Sequence, residues 1–209
     1  MNIQPSGKPG RWDLLVIGAS TGGPAALQKL FHSMPEEVEL PIVIVQHMPS
    51  GFTRSLADRL NRDYRWSVKE AEDGGTLQKG TVYIAPGGRQ LEIRRKGNRL
   101  ITAVNESETG DRYHPSMDLL LASLCKLEDL RVLAVILTGM GSDGTCGLKK
   151  LQTVTALYAV AESEETAVVY GMPRAAVQAG VIDEVLPLHA IGERIGQLVQ
   201  TTVYEGEVK

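Results

Sequence analysis

Three short aliphatic runs constrain this chain more than any other feature: "DLLVIG" at 13–18, "LPIVIVQ" at 40–46 and "LRVLAVILTG" at 130–139. Within each run, apolar residues hardly alternate with polar ones. Near-continuous runs of this length belong to strands covered on both faces, the situation of parallel strands in an α/β sheet. Weaker strand candidates are "TVYIA", "LYAVA" and "GVIDEVL". Amphipathic patterns lie between them. Pro24 to Ser33 follows a glycine pair, Phe52 to Leu60 repeats Phe52, Leu56 and Leu60 on one face, and Ser116 stands where it can cap "MDLLLASL". Pro173 to Gln178 is followed by Gly180, a stop signal. Strands alternating with helices predict right-handed crossovers and an α/β fold in three layers, a mainly parallel, doubly wound sheet between helices. From Tyr83 to Val104 apolar and polar residues alternate around Gly87-Gly88 and Gly97-Asn98, which predicts a small antiparallel hairpin attached to that sheet.

The expected organisation is a flexible leader or linker remnant at 1–12, one domain at 13–203 and a tail at 204–209, since 209 residues suffice for one sizeable core. A net charge of -3 speaks against nucleic acid as a partner, and 5% aromatic residues against a base-stacking platform. No apolar run approaches the roughly 20 residues of a membrane span, so no membrane insertion is expected. The first residues, "MNIQPSGKPGR", lack the apolar core of a signal peptide. Two cysteines, Cys125 and Cys146, suit reduced thiols in a cytoplasmic protein.

Chemistry is expected at the carboxyl ends of the strands, near the switch point of the sheet. Ser20 lies there, directly after the first run. Three readings of it compete. As a helix N-cap it would be ordinary. "GASTGG" resembles a dinucleotide-binding turn, but Ser20 replaces the middle glycine, and the second strand ends in Gln46-His47 where an acid would bind the ribose. "GASTG" also satisfies G-x-S-x-G, a sharp turn that exposes a nucleophilic serine. A nucleophile needs a base and an orienting acid at the same edge. His47 follows "IVIVQ", and Asp143 stands in "LTGMGSDG" after the longest aliphatic run. Each has an ordinary explanation, a turn before Pro49 for His47 and an N-capping Asp-Gly turn for Asp143. His114, before a helix start, is a rival base. Ser, His and Asp on three strand tips of one edge are a rarer combination.

The same residues carry a resemblance. "IGASTGGP" (17–24), "QHMPSGFTRSLADRLN" (46–61), "VKEAEDG" (68–74) and "YIAPGG" (83–88) are followed in order by "HPSMDLLL" (114–121), "AVILTGMGSDG" (134–144), "VVYGMPRAA" (168–176) and "IDEVLPL" (182–188). Together they resemble the catalytic domain of the CheB family, the protein-glutamate methylesterases of bacterial chemotaxis. The resemblance implies an α/β/α sandwich and a cytoplasmic serine hydrolase. Its action would be to release methanol from glutamyl methyl esters on the cytoplasmic helices of chemoreceptors, and to deamidate receptor glutamines. The triad would be Ser20, His47 and Asp143, with oxyanion donors near Thr21 and Gly22 and around Met140 and Gly141, and neither metal nor organic cofactor. A receiver domain usually precedes the catalytic part in that family; the short leader here implies either an excised piece or a stand-alone enzyme regulated differently. The chain departs from the family pattern at 151–166, where Glu162, Glu164 and Glu165 are expected to make the substrate-facing rim more acidic. The non-enzymatic alternatives are a nucleotide-binding module and an adaptor that binds receptor helices without turnover.

Overall fold

The computed structural model describes residues 11–35 and 37–204. In chain order the elements are β1 Leu14–Ala19, α1 Gly23–Ser33, β2 Ile42–Gln46, α2 Phe52–Asp63, β3 Ser67–Glu70, β4 Thr81–Ile84, β5 Arg89–Lys96, β6 Arg99–Glu106, α3 Met117–Leu124, β7 Arg131–Ile136, α4 Thr145–Leu151, β8 Ala156–Glu162, α5 Met172–Gln178, β9 Glu184–Leu186 and α6 Leu188–Tyr204. Seven strands form one sheet in the order β3-β4-β2-β1-β7-β8-β9, and all its neighbours run parallel. The chain winds from β1 towards one edge and later crosses back to β7 on the other side of β1. The switch point therefore lies between β1 and β7.

The aliphatic runs form the middle of this sheet because both of its faces are covered. Leu15 and Ile17 face a core shared with Leu27 and Leu30 of α1, Leu56 and Leu60 of α2, and Ile191 and Ile195 of α6. Leu14 and Val16 face the opposite core, with Leu120 and Leu121 of α3, Leu148 of α4, Ala176 of α5 and Leu91 and Ile93 of β5. Side chains alternate across a strand, so each run must be apolar at every position to serve two cores. In register, Val160, Val135, Ile17, Ile44 and Ile84 form one row across five strands, all in the first core.

Several expectations need correction. The antiparallel hairpin exists as β5 and β6, but as a sheet of its own, and Tyr83 and Ile84 belong to parallel β4 instead. It joins the body by packing on α3, with the Ile93 amide donating to Ser123 Oγ. Leu56 and Leu60 are buried on α2 as expected, whereas Phe52 is exposed. Trp12, placed with the leader, is buried, and its Nε1–H donates to the Leu198 carbonyl at 3.1 Å. Residues 1–10 of the leader and 205–209 of the tail lie outside the described residues. His189 is the second residue of α6. Elements β3, α4 and α6 are additions. Gly147 obscures the α4 pattern but lets that helix approach Leu121; Gly192 and Gly196 do the same for α6 against Ser33, Met34 and Pro35. Cys125 and Cys146 are free thiols.

Ile44 has no exposed surface and lies between Ile17 and Ile84. Ile44→Ala should therefore lower unfolding stability by about 2–5 kcal/mol, through lost burial and a cavity that cannot fully collapse. Urea unfolding should show a lower midpoint with an unchanged slope.

Candidate active site

The site forms at the carboxyl ends of β1, β2 and β7. Parallel pairing puts Ala19 opposite Gln46, and the His47 amide continues the ladder by donating to the Ala19 carbonyl at 3.0 Å. Ser20 and His47 thus occupy equivalent positions on strands about 4.8 Å apart. On the other side, the Ser20 amide donates to the Thr138 carbonyl at 3.0 Å, so the β7 loop borders the serine.

Ser20 is not a helix cap. The N-cap of α1 is Gly22, with φ of 83°, and no side chain caps this helix. The turn needs glycine there because other residues rarely hold that backbone conformation. Gly139 is required for a different reason: a Cβ on it would lie 2.7 Å from Ser20 Cβ and 2.5 Å from Met172 Sδ. Behind the serine, buried Gln46 donates Nε2–H to the Ser20 carbonyl at 2.9 Å. The result is a serine on a tight, braced turn. Its hydroxyl makes no hydrogen bond to any described residue; nucleophile contacts are often long before substrate binds.

His47 and Asp143 meet directly, with His47 Nε2 2.7 Å from Asp143 Oδ2. Asp143 is 3% exposed, and its carboxylate also accepts from Ser116 Oγ at 2.9 Å, the Met117 amide at 2.7 Å and the Asp118 amide at 2.9 Å. It therefore sits at the N-terminus of α3, where amide donors and the helix dipole favour negative charge. Burial opposes the charge, but the hydrogen bonds from His47 and from the Asp118 and Met117 amides outweigh it. The carboxyl stays below the ordinary aspartate range. Asp118 answers reciprocally, its Oδ1 accepting from the Gly144 and Gly147 amides at the start of α4. Burial, together with the Asp143 charge beside it, keeps Asp118 above the ordinary range.

An ionised Asp143 can only accept, so neutral His47 carries its proton on Nε2. The other nitrogen, Nδ1, is buried and has no hydrogen-bond partner among the described residues. A free imidazole lone pair is what a general base requires. Tyr113 stacks on the imidazole, with ring centroids 4.5 Å apart and planes 7° from parallel. Near Ser20, the amides of Thr21, Gly22, Met140 and Gly141 donate to no acceptor among the described residues. Met140 and Val168 stand exposed beside this opening. Among the described residues no group of three or more metal-ligating side chains is gathered.

A braced serine turn and an imidazole–carboxylate pair thus share one edge of the sheet. The CheB methylesterase family model matches residues 15–195. The chain belongs to the CheB methylesterase family. It is 50% identical over 186 residues to a protein-glutamate methylesterase/protein-glutamine glutaminase of Geobacillus kaustophilus, covering 89% of this chain and 53% of the relative. A Bacillus subtilis protein of the same name is 49% identical over 194 residues, covering 92% and 54%. This chain thus spans about half the length of the curated relatives it matches. The crystal structure of the Thermotoga maritima CheB methylesterase catalytic domain superposes with a TM-score of 0.85 at 40% identity, covering 90% of this chain and 99% of that one.

Within this family frame, the structure brings His47 and Asp143 together and puts Ser20 on the same edge. It leaves His114 out. The His114 side chain is exposed, and its carbonyl accepts the Gly88 amide in a structural role. The acidic rim expected from the divergent 151–166 segment is also corrected. Glu164 and Glu165 are exposed, but Glu162 ends β8 with no exposed surface and accepts the Thr138 amide at 2.8 Å. Sequence reasoning missed Gln46, Tyr113, Thr138 and Glu162. Gln46 alone carried a signal, as a polar residue ending an aliphatic strand. Ser116 was legible as the α3 cap, its Oγ accepting the Leu119 amide at 3.4 Å, but not as a donor to Asp143.

The lowered Asp143 value fixes a pH dependence. A carboxyl depressed in the folded state adds stability above its unfolded value, near 4, and loses it as pH falls through the folded value. Asp143→Asn should lower Tm at neutral pH, and the gap from the parent should close progressively below about pH 4 in thermal melts.

Proposed function

We propose that this chain carries the hydrolase of a protein-glutamate methylesterase, with Ser20 as nucleophile, His47 as general base and Asp143 as the group that orients it. The observation that carries this reading is the His47–Asp143 hydrogen bond beside the Ser20 turn, with the buried Nδ1 atom left without a partner among the described residues. Ser20 Oγ attacks the ester carbonyl while Nδ1 accepts its proton. Asp143 holds the Nε2–H tautomer and stabilises the imidazolium. The oxyanion forms near the amides of Thr21 and Gly22 and those of Met140 and Gly141. Removing one such donor costs about 3 kcal/mol in comparable sites. The imidazolium then protonates departing methanol. Water attacks the acyl-enzyme while Nδ1 accepts its proton, and the imidazolium returns that proton to Ser20 Oγ as the acyl–serine bond breaks. The product is a glutamate carboxylate. No step calls for a metal or organic cofactor.

The substrate in this reading is a glutamyl methyl ester on the cytoplasmic helices of a chemoreceptor. Receptor glutamine is a second substrate, its amide leaving as ammonia through the same acyl-enzyme. Action in the cytoplasm, as part of chemotaxis adaptation, follows from that substrate. No helix among the described residues is long and apolar enough to cross a membrane, which suits a partner reached from solution. A receiver domain outside this chain is the natural regulatory partner. The names of the relatives, protein-glutamate methylesterase/protein-glutamine glutaminase, support the ester and the amide as the two substrate groups.

Ser20→Ala should reduce methanol release from methylated receptor membranes by at least about 10³-fold without altering the far-UV circular dichroism. His114→Ala should stay close to the parent. Full activity in Ser20→Ala, or loss confined to His114→Ala, would overturn the assignment.

A further inference from the structure

Glu162 is the buried carboxylate that the proposed chemistry does not use. It has no exposed surface, and its Oε2 accepts the Thr138 amide at 2.8 Å. Thr138 is buried too, and it touches the nucleophile turn twice. Its carbonyl accepts the Ser20 amide at 3.0 Å, and its Oγ1–H donates to the Thr21 carbonyl at 2.9 Å. The Val169 amide, in turn, donates to Thr138 Oγ1 at 2.9 Å, and the Gly139 amide donates to the Val169 carbonyl. Every backbone and side-chain polar group of Thr138 is therefore committed, and the serine turn hangs on two of them.

A buried amide without an acceptor is costly, so the acceptor at position 162 sets where Thr138 can sit. Glu162 is itself placed by strand pairing: it lies opposite Leu186 of β9, one residue beyond the Ala161–Ile136 pair of β8 and β7. Its second oxygen, Oε1, is buried without a hydrogen-bond partner among the described residues. Only one oxygen is needed for the contact with Thr138. Burial raises the Glu162 pKa, while the Thr138 amide, the Thr166 side chain and the Lys29 ammonium of α1 act in the opposite sense.

We propose that Glu162 is a positioning residue for the nucleophile: through the Thr138 amide it fixes the turn that carries Ser20 and the Thr21–Gly22 amides. This deepens the esterase reading and rests on it for the identity of the nucleophile. Glu162 touches no reacting atom. It acts on the geometry of attack, and displacements of about 1 Å at such a site can cost on the order of 100-fold in rate. A neutral acceptor of the same shape serves equally well, because the contact needs one carbonyl-type oxygen.

The test compares the parent, Glu162→Ala and Glu162→Gln by two readouts. One is methanol release from methylated receptor membranes. The other is the rate at which a fluorophosphonate labels Ser20, a reaction in which Oγ bonds to phosphorus, fluoride leaves and the imidazole accepts the proton. Glu162→Ala should lower kcat and the labelling rate together by about 10- to 100-fold, with KM within about twofold. Glu162→Gln should restore both to within about threefold of the parent. Rates are taken per folded molecule, at a temperature below the Tm of each variant. Three results would overturn the proposal: Glu162→Ala with parental rates per folded molecule, Glu162→Gln as impaired as Glu162→Ala, or a loss confined to KM. Parental labelling of Ser20 without methanol release would instead sink the ester substrate, leaving the labelling rates to decide the role of Glu162. A parent that is not labelled at Ser20 would overturn both.

Discussion

The Asp143 carboxylate receives a hydrogen bond from the His47 ring, one from the Ser116 hydroxyl and two from the first amides of α3. Burying a charge is costly unless it is paired and hydrogen-bonded, and four donors at a helix N-terminus offset that cost for Asp143. Much of the site follows from this one group. It ties the loop after β7 to α3, fixes the plane and tautomer of the imidazole after β2, and leaves the second ring nitrogen free. Asp118 makes the arrangement mutual by accepting the amides that open α4, so neither helix start can shift without the other.

The serine turn is positioned by backbone contacts together with the side chains of Gln46 and Thr138. Ser20 is held between the Thr138 carbonyl on one side and the Gln46 amide group on the other, on a turn that glycine at 22 and 139 makes sterically accessible. The sheet supplies the distance between strand tips, and the loops supply the chemistry. This division explains how Ser20, His47 and Asp143, far apart in sequence, come to one edge of the sheet. The family's solved catalytic domain shares the same frame at 40% identity.

How much of this was legible in the sequence follows from range. The aliphatic runs revealed the parallel sheet because covering both faces forces every strand position to be apolar. Ser20, His47 and Asp143 were legible because strand ends can be located from those runs. The separate hairpin sheet was not, since alternation reveals a strand but not its partner. Likewise, α4 and α6 were hidden by glycines whose value is close packing, visible only once Leu121 and Pro35 are seen against them. Tyr113 and Glu162 stayed hidden because stacking and buried acceptors leave no local pattern. Glu162 was even misplaced onto the rim, since a glutamate in an acidic stretch reads as solvated.

The proposed chemistry turns on the orientation of one ring. Nitrogen-15 NMR of histidine-labelled protein, with His47 assigned by comparison with a His47→Gln variant, reads the protonation of each ring nitrogen in the neutral state. The proposed chemistry requires the proton on Nε2 of His47, facing Asp143, and an unprotonated Nδ1. A neutral His47 with its proton on Nδ1 would contradict it, because no lone pair would then remain on that nitrogen to accept the serine proton.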